Sequence, residues 1–85
     1  MVKDKLTLDF GVDAKAIVHA FNEKHSNDEK TTIDGVKLLF RDSWVHVRAS
    51  NTEPIIRVIA EAPSEEQALT IVKDMKKEMQ ILSKQ

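Results

Sequence analysis

The sequence has no cysteine, which excludes disulfides and thiolate metal sites and suits a reducing, cytoplasmic setting. No apolar run approaches the ~20 residues that a helical membrane span needs. The opening MVKDKLTLDF lacks the apolar segment of a secretory signal. Neither sign of charge dominates: 13 Lys and Arg against 14 Asp and Glu leave a formal net charge of −1, which argues against a nucleic-acid-binding surface. Aromatic residues make up only 5% of the chain, too few for the stacking platform of an RNA-binding sheet. The chain is short as well. At 85 residues it reads as a single domain, 1–85, with a core over about 13–82, and buries roughly 60% of its unfolded surface. Walls for a complete catalytic cleft need more chain, so a binding module or a piece of a larger protein outweighs a self-sufficient enzyme.

Hydrophobic spacing organises what is there. Leu6, Leu8 and Phe10 alternate along Lys5 to Phe10, a short strand or lead-in segment. Asp13 is placed to cap a first helix whose Ala14, Ile17, Val18 and Phe21 share one face. Ser26 to Lys30 reads as a polar loop. In TTIDGVKLLF, Asp34-Gly35 between β-branched residues signals a hairpin, and Val36, Leu38 and Phe40 share one face of the strand after it. Trp44 to Arg48 and Ile55 to Ala62 are further strands, the latter with Ile56, Val58 and Ala60 on one side and ended by Pro63. Ser64-Glu65-Glu66-Gln67 is a capping-box pattern, followed by the apolar stripe Ala68, Val72, Met75, Met79 and Leu82. Lys84 suits the far dipole end of that helix. Helix, four strands on short turns, helix: this order predicts an α+β fold, a four-stranded antiparallel sheet with two helices packed on one face.

The segment VHVRASNTEPIIRVIAEA interrupts two good strands with Arg48-Ala49-Ser50-Asn51-Thr52-Glu53-Pro54. Ser50-x-x-Glu53 matches a capping box, but Pro54 biases Glu53 away from helix and the β-branched run after it favours strand. On residue chemistry alone one reading is a polar turn whose Ser and Asn bond their own backbone. The competing reading is an oxyanion site. Arg48 brings a planar fork of donors, Ser50 and Thr52 add hydroxyls, Asn51 adds an amide, and successive loop N–H groups can form an anion nest. Glu53 repels phosphate and makes sense only if it faces away and fixes Arg57 or Arg48. The histidines His19, His25 and His46 have no ligand spacing, and no metal site is expected.

RASNTEPIIRVIAEA resembles the signature R-x-S-[G/N]-T-E-P-x-x-R of the α-D-phosphohexomutases, the phosphoglucomutase, phosphomannomutase and phosphoglucosamine mutase enzymes. TIDGVKLLFRDSWVHVR resembles the hairpin before that signature, so the match runs from about Asp13 to Leu82. The resemblance implies the fourth and last domain of such an enzyme, with a fold like the TATA-box-binding protein. It implies Arg48, Ser50, Asn51 and Thr52 as contacts to the substrate phosphate, with Glu53 and Arg57 in support. Position 51 holds Asn where many members have Gly, which does not decide the sugar.

The resemblance also implies what lies elsewhere in a parent chain: a phosphoserine, an Mg2+ site of aspartates and a sugar-reading loop. The 85 residues are therefore expected to be a piece of a mutase, inactive alone, with no catalytic residue and no cofactor of their own. The expected partners are a hexose 1-phosphate or 6-phosphate and the other domains of the parent, with no nucleic acid and no membrane. The alternative is a stand-alone small α+β ligand-binding or interaction module, with the loop as an ordinary turn.

Overall fold

A computed structural model describes residues 1–9, 11–26, 30–31, 35–50 and 53–83. The elements run β1 (Val2–Thr7), α1 (Ala14–Lys24), β2 (Lys30–Thr31), β3 (Val36–Leu39), β4 (Trp44–Ala49), β5 (Ile55–Glu61) and α2 (Glu65–Leu82). The strands form one antiparallel sheet in the order β1-β5-β4-β3-β2. The expected α+β sheet with two helices is present. Its make-up differs in one respect: β1 is a full strand on the edge beside β5, whereas β2 contributes only two residues at the opposite edge.

β1 was the weakest strand signal because VKDKLT is rich in Lys and Asp, which sheets disfavour. Pairing supplies what propensity lacks. The strand runs in unbroken register with β5, from Val2 opposite Ala60 to Thr7 opposite Ile55, and Leu6 and Leu8 enter the core. The core thus reaches back ahead of position 13.

Period-two alternation sorts the sheet into two faces. Leu6, Val36, Leu38, Val45, Val47, Ile56, Val58 and Ala60 are buried and cluster with Ala14, Ile17, Val18 and Phe21 of α1 and with Ala68, Val72 and Met79 of α2. Each large side chain in that cluster contributes about 1.5–3 kcal/mol of burial. Both helices therefore cover the same face. Phe40 departs from the expected stripe and is 44% exposed. β3 stops at Leu39, and the Phe40 amide donates to the Ser43 carbonyl at 2.9 Å in a tight turn, so Phe40 belongs to the bend.

Both expected N-caps form. The Asp13 carboxylate accepts from the Lys15 amide at 3.0 Å, and the Ser64 hydroxyl accepts from the Gln67 amide at 3.1 Å. The two helices are tied at one end by Glu78, whose Oε1 lies 2.7 Å from His25 Nε2 and 3.0 Å from Lys24 Nζ. Of the predicted Asp34-Gly35 turn, Asp34 lies outside the described residues, as do Phe10 and Lys84. Gly35 has φ +80°, and a Cβ there would run into the Val47 carbonyl of β4. Both facts call for glycine at that position.

Candidate functional site

Arg48 sits one residue before the end of β4, and Arg57 lies directly across from it on β5. Both belong to the face opposite the helices, because their neighbours Val47, Ala49, Ile56 and Val58 turn toward the core. Both are exposed. Ser50 continues the ladder, its amide donating to the Ile55 carbonyl at 2.9 Å. The loop between them is closed at its base by that bond. Its exit is fixed twice more: the Ile55 amide donates to the Glu53 carbonyl at 2.8 Å, and the Leu8 amide donates to the Pro54 carbonyl at 2.7 Å. Residues 53 and 54 form a bend, not the first turn of a helix. Asn51 and Thr52 lie outside the described residues.

The structure thus brings Arg48, Ser50 and Arg57 together at the loop end of the open sheet face. Among the ion pairs between described residues none involves Glu53, so the expected anchoring of Arg48 or Arg57 by Glu53 is not seen there. Arg57, expected in a supporting position, stands beside Arg48 on the same face. Like charges directly opposite on neighbouring strands repel.

The register adds residues that the loop motif does not contain. Lys5 of β1 is opposite Arg57, and Thr7 is opposite Ile55. With Arg48 they make a cationic row, Lys5–Arg57–Arg48, across three adjacent strands. The row of Thr7, Ile55 and Ser50 follows on the loop side. The only hint of this in the sequence was the alternation of Lys5 and Thr7 with Leu6 and Leu8. Which strand β1 would pair with could not be read from it.

Farther along the same face, Lys37 Nζ rests 4.3 Å from the Trp44 ring centroid, and Leu39, Ile55 and Ile59 are half-buried. A groove of about 620 Å3 lies on the helical side, lined by Asp4, Leu69, Val72, Lys73, Lys76 and Gln80 among others. Size alone does not make it the better anion site. It contains the Asp4 carboxylate, already bonded at 3.0 Å by Lys76 Nζ, and none of the loop donors lines it. Among the described residues no three His, Cys, Asp or Glu side chains converge to hold a metal ion. Nor is any described helix long and apolar enough to cross a membrane.

Residues 3–78 match the family described as phosphoglucomutase/phosphomannomutase, C-terminal domain. A phosphoglucosamine/phosphogalactosamine mutase of Sulfurisphaera tokodaii is 42% identical over 79 residues, which covers 91% of this chain and 17% of the relative. A phosphoglucomutase/phosphomannomutase of Thermococcus kodakarensis is 52% identical over 58 residues, 66% of this chain and 13% of the relative. A phosphopentomutase of the same organism is 53% identical over 38 residues, 44% of this chain and 8% of the relative. The chain therefore spans less than a fifth of the length of the relatives it matches. The signature around Arg48, the antiparallel sheet under two helices and the match over residues 3–78 agree: the chain belongs to the phosphoglucomutase/phosphomannomutase C-terminal domain family.

Proposed function

We propose that this chain is the phosphate-gripping domain of a cytoplasmic phosphohexomutase, an isomerase that moves a phosphoryl group between C1 and C6 of a hexose. In the parent enzyme a phosphoserine on another domain donates its phosphoryl group to the sugar, and the bisphosphorylated intermediate turns over before returning the other phosphate. Mg2+ would be held by that other part of the chain. The task left to this domain is to hold the phosphate that is not reacting. Arg48 supplies paired N–H donors, Ser50 and Thr52 hydroxyls, Asn51 an amide, and Arg57 further positive charge. Phosphoryl transfer depends mostly on positioning and charge stabilisation, and this loop would supply positioning from the far end of the sugar.

The placement of Arg48, Ser50 and Arg57 on one face at a loop closed by backbone bonds carries this reading. The loop exit is already fixed to β1 and β5, which lowers the ordering cost of binding. The names of the relatives support it too. They are called after glucosamine, galactosamine, glucose, mannose and pentose phosphates, as suits a shared segment that reads phosphate and leaves the ring to other domains.

The isolated chain, lacking the other walls of the cleft, should bind glucose 1-phosphate only at about millimolar concentration or weaker. Amide shifts followed during a titration test this. Shifts confined to 48–57 are expected in the wild type and should vanish in Arg48→Ala, with the remaining spectrum unchanged. A wild-type spectrum with no movement around Arg48 at tens of millimolar ligand, on the order of ten times that expectation, would sink the reading. In the parent enzyme each charge-assisted bond lost with Arg48→Ala is worth about 1.5–3 kcal/mol, so kcat/KM should fall steeply.

A further inference from the structure

β1 ends the sheet order, and among the described residues it pairs with β5 alone. In an antiparallel ladder successive residues turn their backbone groups alternately toward the partner strand and away from it. The Leu8 amide is directed at the Pro54 carbonyl, on the β5 side. Lys3, Lys5 and Thr7 have the other parity, so their N–H and C=O groups face outward along the edge. The Lys5 amide agrees: it donates to its neighbour's carboxylate, Asp4 Oδ1, at 2.7 Å.

That carboxylate lies over the middle of the edge. Its second oxygen accepts from Lys76 Nζ of α2 at 3.0 Å, so the helix holds it there. Any strand adding to β1 needs a carbonyl where Asp4 now sits. The contact is exposed and weak enough to exchange.

The two sides of this edge differ. Lys3 and Lys5, opposite Ile59 and Arg57 on β5, are exposed on the open sheet face. Edge lysines turn most strands away, but a strand carrying acids beside them gains cross-strand charge pairs. Asp4 has the helical parity, since it pairs with the buried Val58. There the groove of about 620 Å3 runs between Asp4 and α2, with Leu69, Val72, Lys73, Lys76 and Lys77 in its lining. Leu69 is 52% exposed, and lysine stems add apolar wall while their ammoniums reach outward. Among the described residues of that lining Asp4 is the only acid. Strand side chains alternate between faces, so acid on one face and apolar on the other is the complementary pattern. A second copy of β1 does not have it: in the centred antiparallel arrangement Lys5 meets Lys5.

We infer that the outer edge of β1 and the flank of α2 form a docking site for an extended segment of alternating acidic and apolar residues, which adds to the sheet as a further strand. Its acids lie beside Lys3 and Lys5, its apolar side chains enter the groove at Leu69, and its backbone carbonyl replaces the Asp4 carboxylate on the Lys5 amide. Asp4, clamped by Lys76, closes the edge until such a segment displaces it. The inference is independent of the phosphate-gripping reading.

The test is a titration of the 85-residue chain with the blocked peptide Glu-Val-Glu-Val-Glu-Val into the millimolar range, followed by amide shifts. Shifts should appear at Lys3, Lys5 and Thr7 and along α2 from Leu69 to Gln80. Glu-Ser-Glu-Ser-Glu-Ser should bind more weakly. Asp4→Ala should tighten binding by roughly threefold, whereas Asp42→Ala, the same change of charge in the β3–β4 turn, should not. The double variant Lys3→Glu, Lys5→Glu should prefer Lys-Val-Lys-Val-Lys-Val. Shifts confined to the region of Arg48 and Arg57, equal gains in Asp4→Ala and Asp42→Ala, or no shifts with the acidic peptide overturn the inference. Matching amide spectra before peptide is added establish that each variant is folded.

Discussion

The Leu8 amide donates to the Pro54 carbonyl at 2.7 Å, so the first strand of the chain and the exit of the signature loop are one structural unit. Leu6, 4% exposed, anchors that strand to the core. Leu6→Ala should cost about 2–4 kcal/mol, measured as a lower urea midpoint. The same variant should perturb amide signals around Ile55 and Arg57 more than those of α2.

Gly35 and Gly11 make a controlled pair. Both have positive φ, +80° and +89°, but a Cβ at Gly11 meets nothing within 4 Å, while one at Gly35 meets the Val47 carbonyl. Gly11→Ala should cost about 1–2 kcal/mol for the left-handed backbone alone. Gly35→Ala should cost clearly more, because backbone must move. Equal losses in chemical denaturation would contradict the β3–β4 crowding.

Ser64 holds the first turn of α2 through Gln67. Ser64→Ala should lower stability by about 1 kcal/mol, and Ser64→Asp should recover it. The readout is the thermal midpoint, with phosphate affinity unaffected because the cap lies on the helical side.

Asp4 provides a pH-dependent contribution. The Lys5 backbone N–H bonded to its carboxylate, and then Lys76, hold its pKa below the ordinary value of 3.8. The folded state therefore binds this proton less readily than the unfolded state. The contribution is complete above the ordinary Asp value and is lost as pH falls through the lowered one. Lys76→Gln should reduce stability at about pH 7 by no more than about 1 kcal/mol, since the pair is partly exposed. The gap between variant and wild type should close as the acid limit is approached.

Much of this was legible in the sequence because local chemistry carried it. Asp13 and Ser64 announced the helix starts, and alternation around Val45, Val47, Ile56 and Val58 announced the central strands. The loop donors were visible as a motif. The partner of β1 was not, because pairing is a long-range choice: VKDKLT brings only Val2 and Leu6 to the core side, and strand propensity disfavours its Lys and Asp residues. Phe40 was misplaced because an alternation rule cannot tell where a strand stops and a turn begins.

The pairing of β1 with β5 has a consequence for anyone wishing to move the signature loop into another protein. A graft of Arg48 through Arg57 would bring the signature but leave behind the strand that pins Pro54. A one-residue slip of β1 would be as damaging, turning Lys5 into the apolar interior and Leu6 out to solvent. The portable unit is therefore a discontinuous three-stranded strip, held together by strand alignment as much as by the motif.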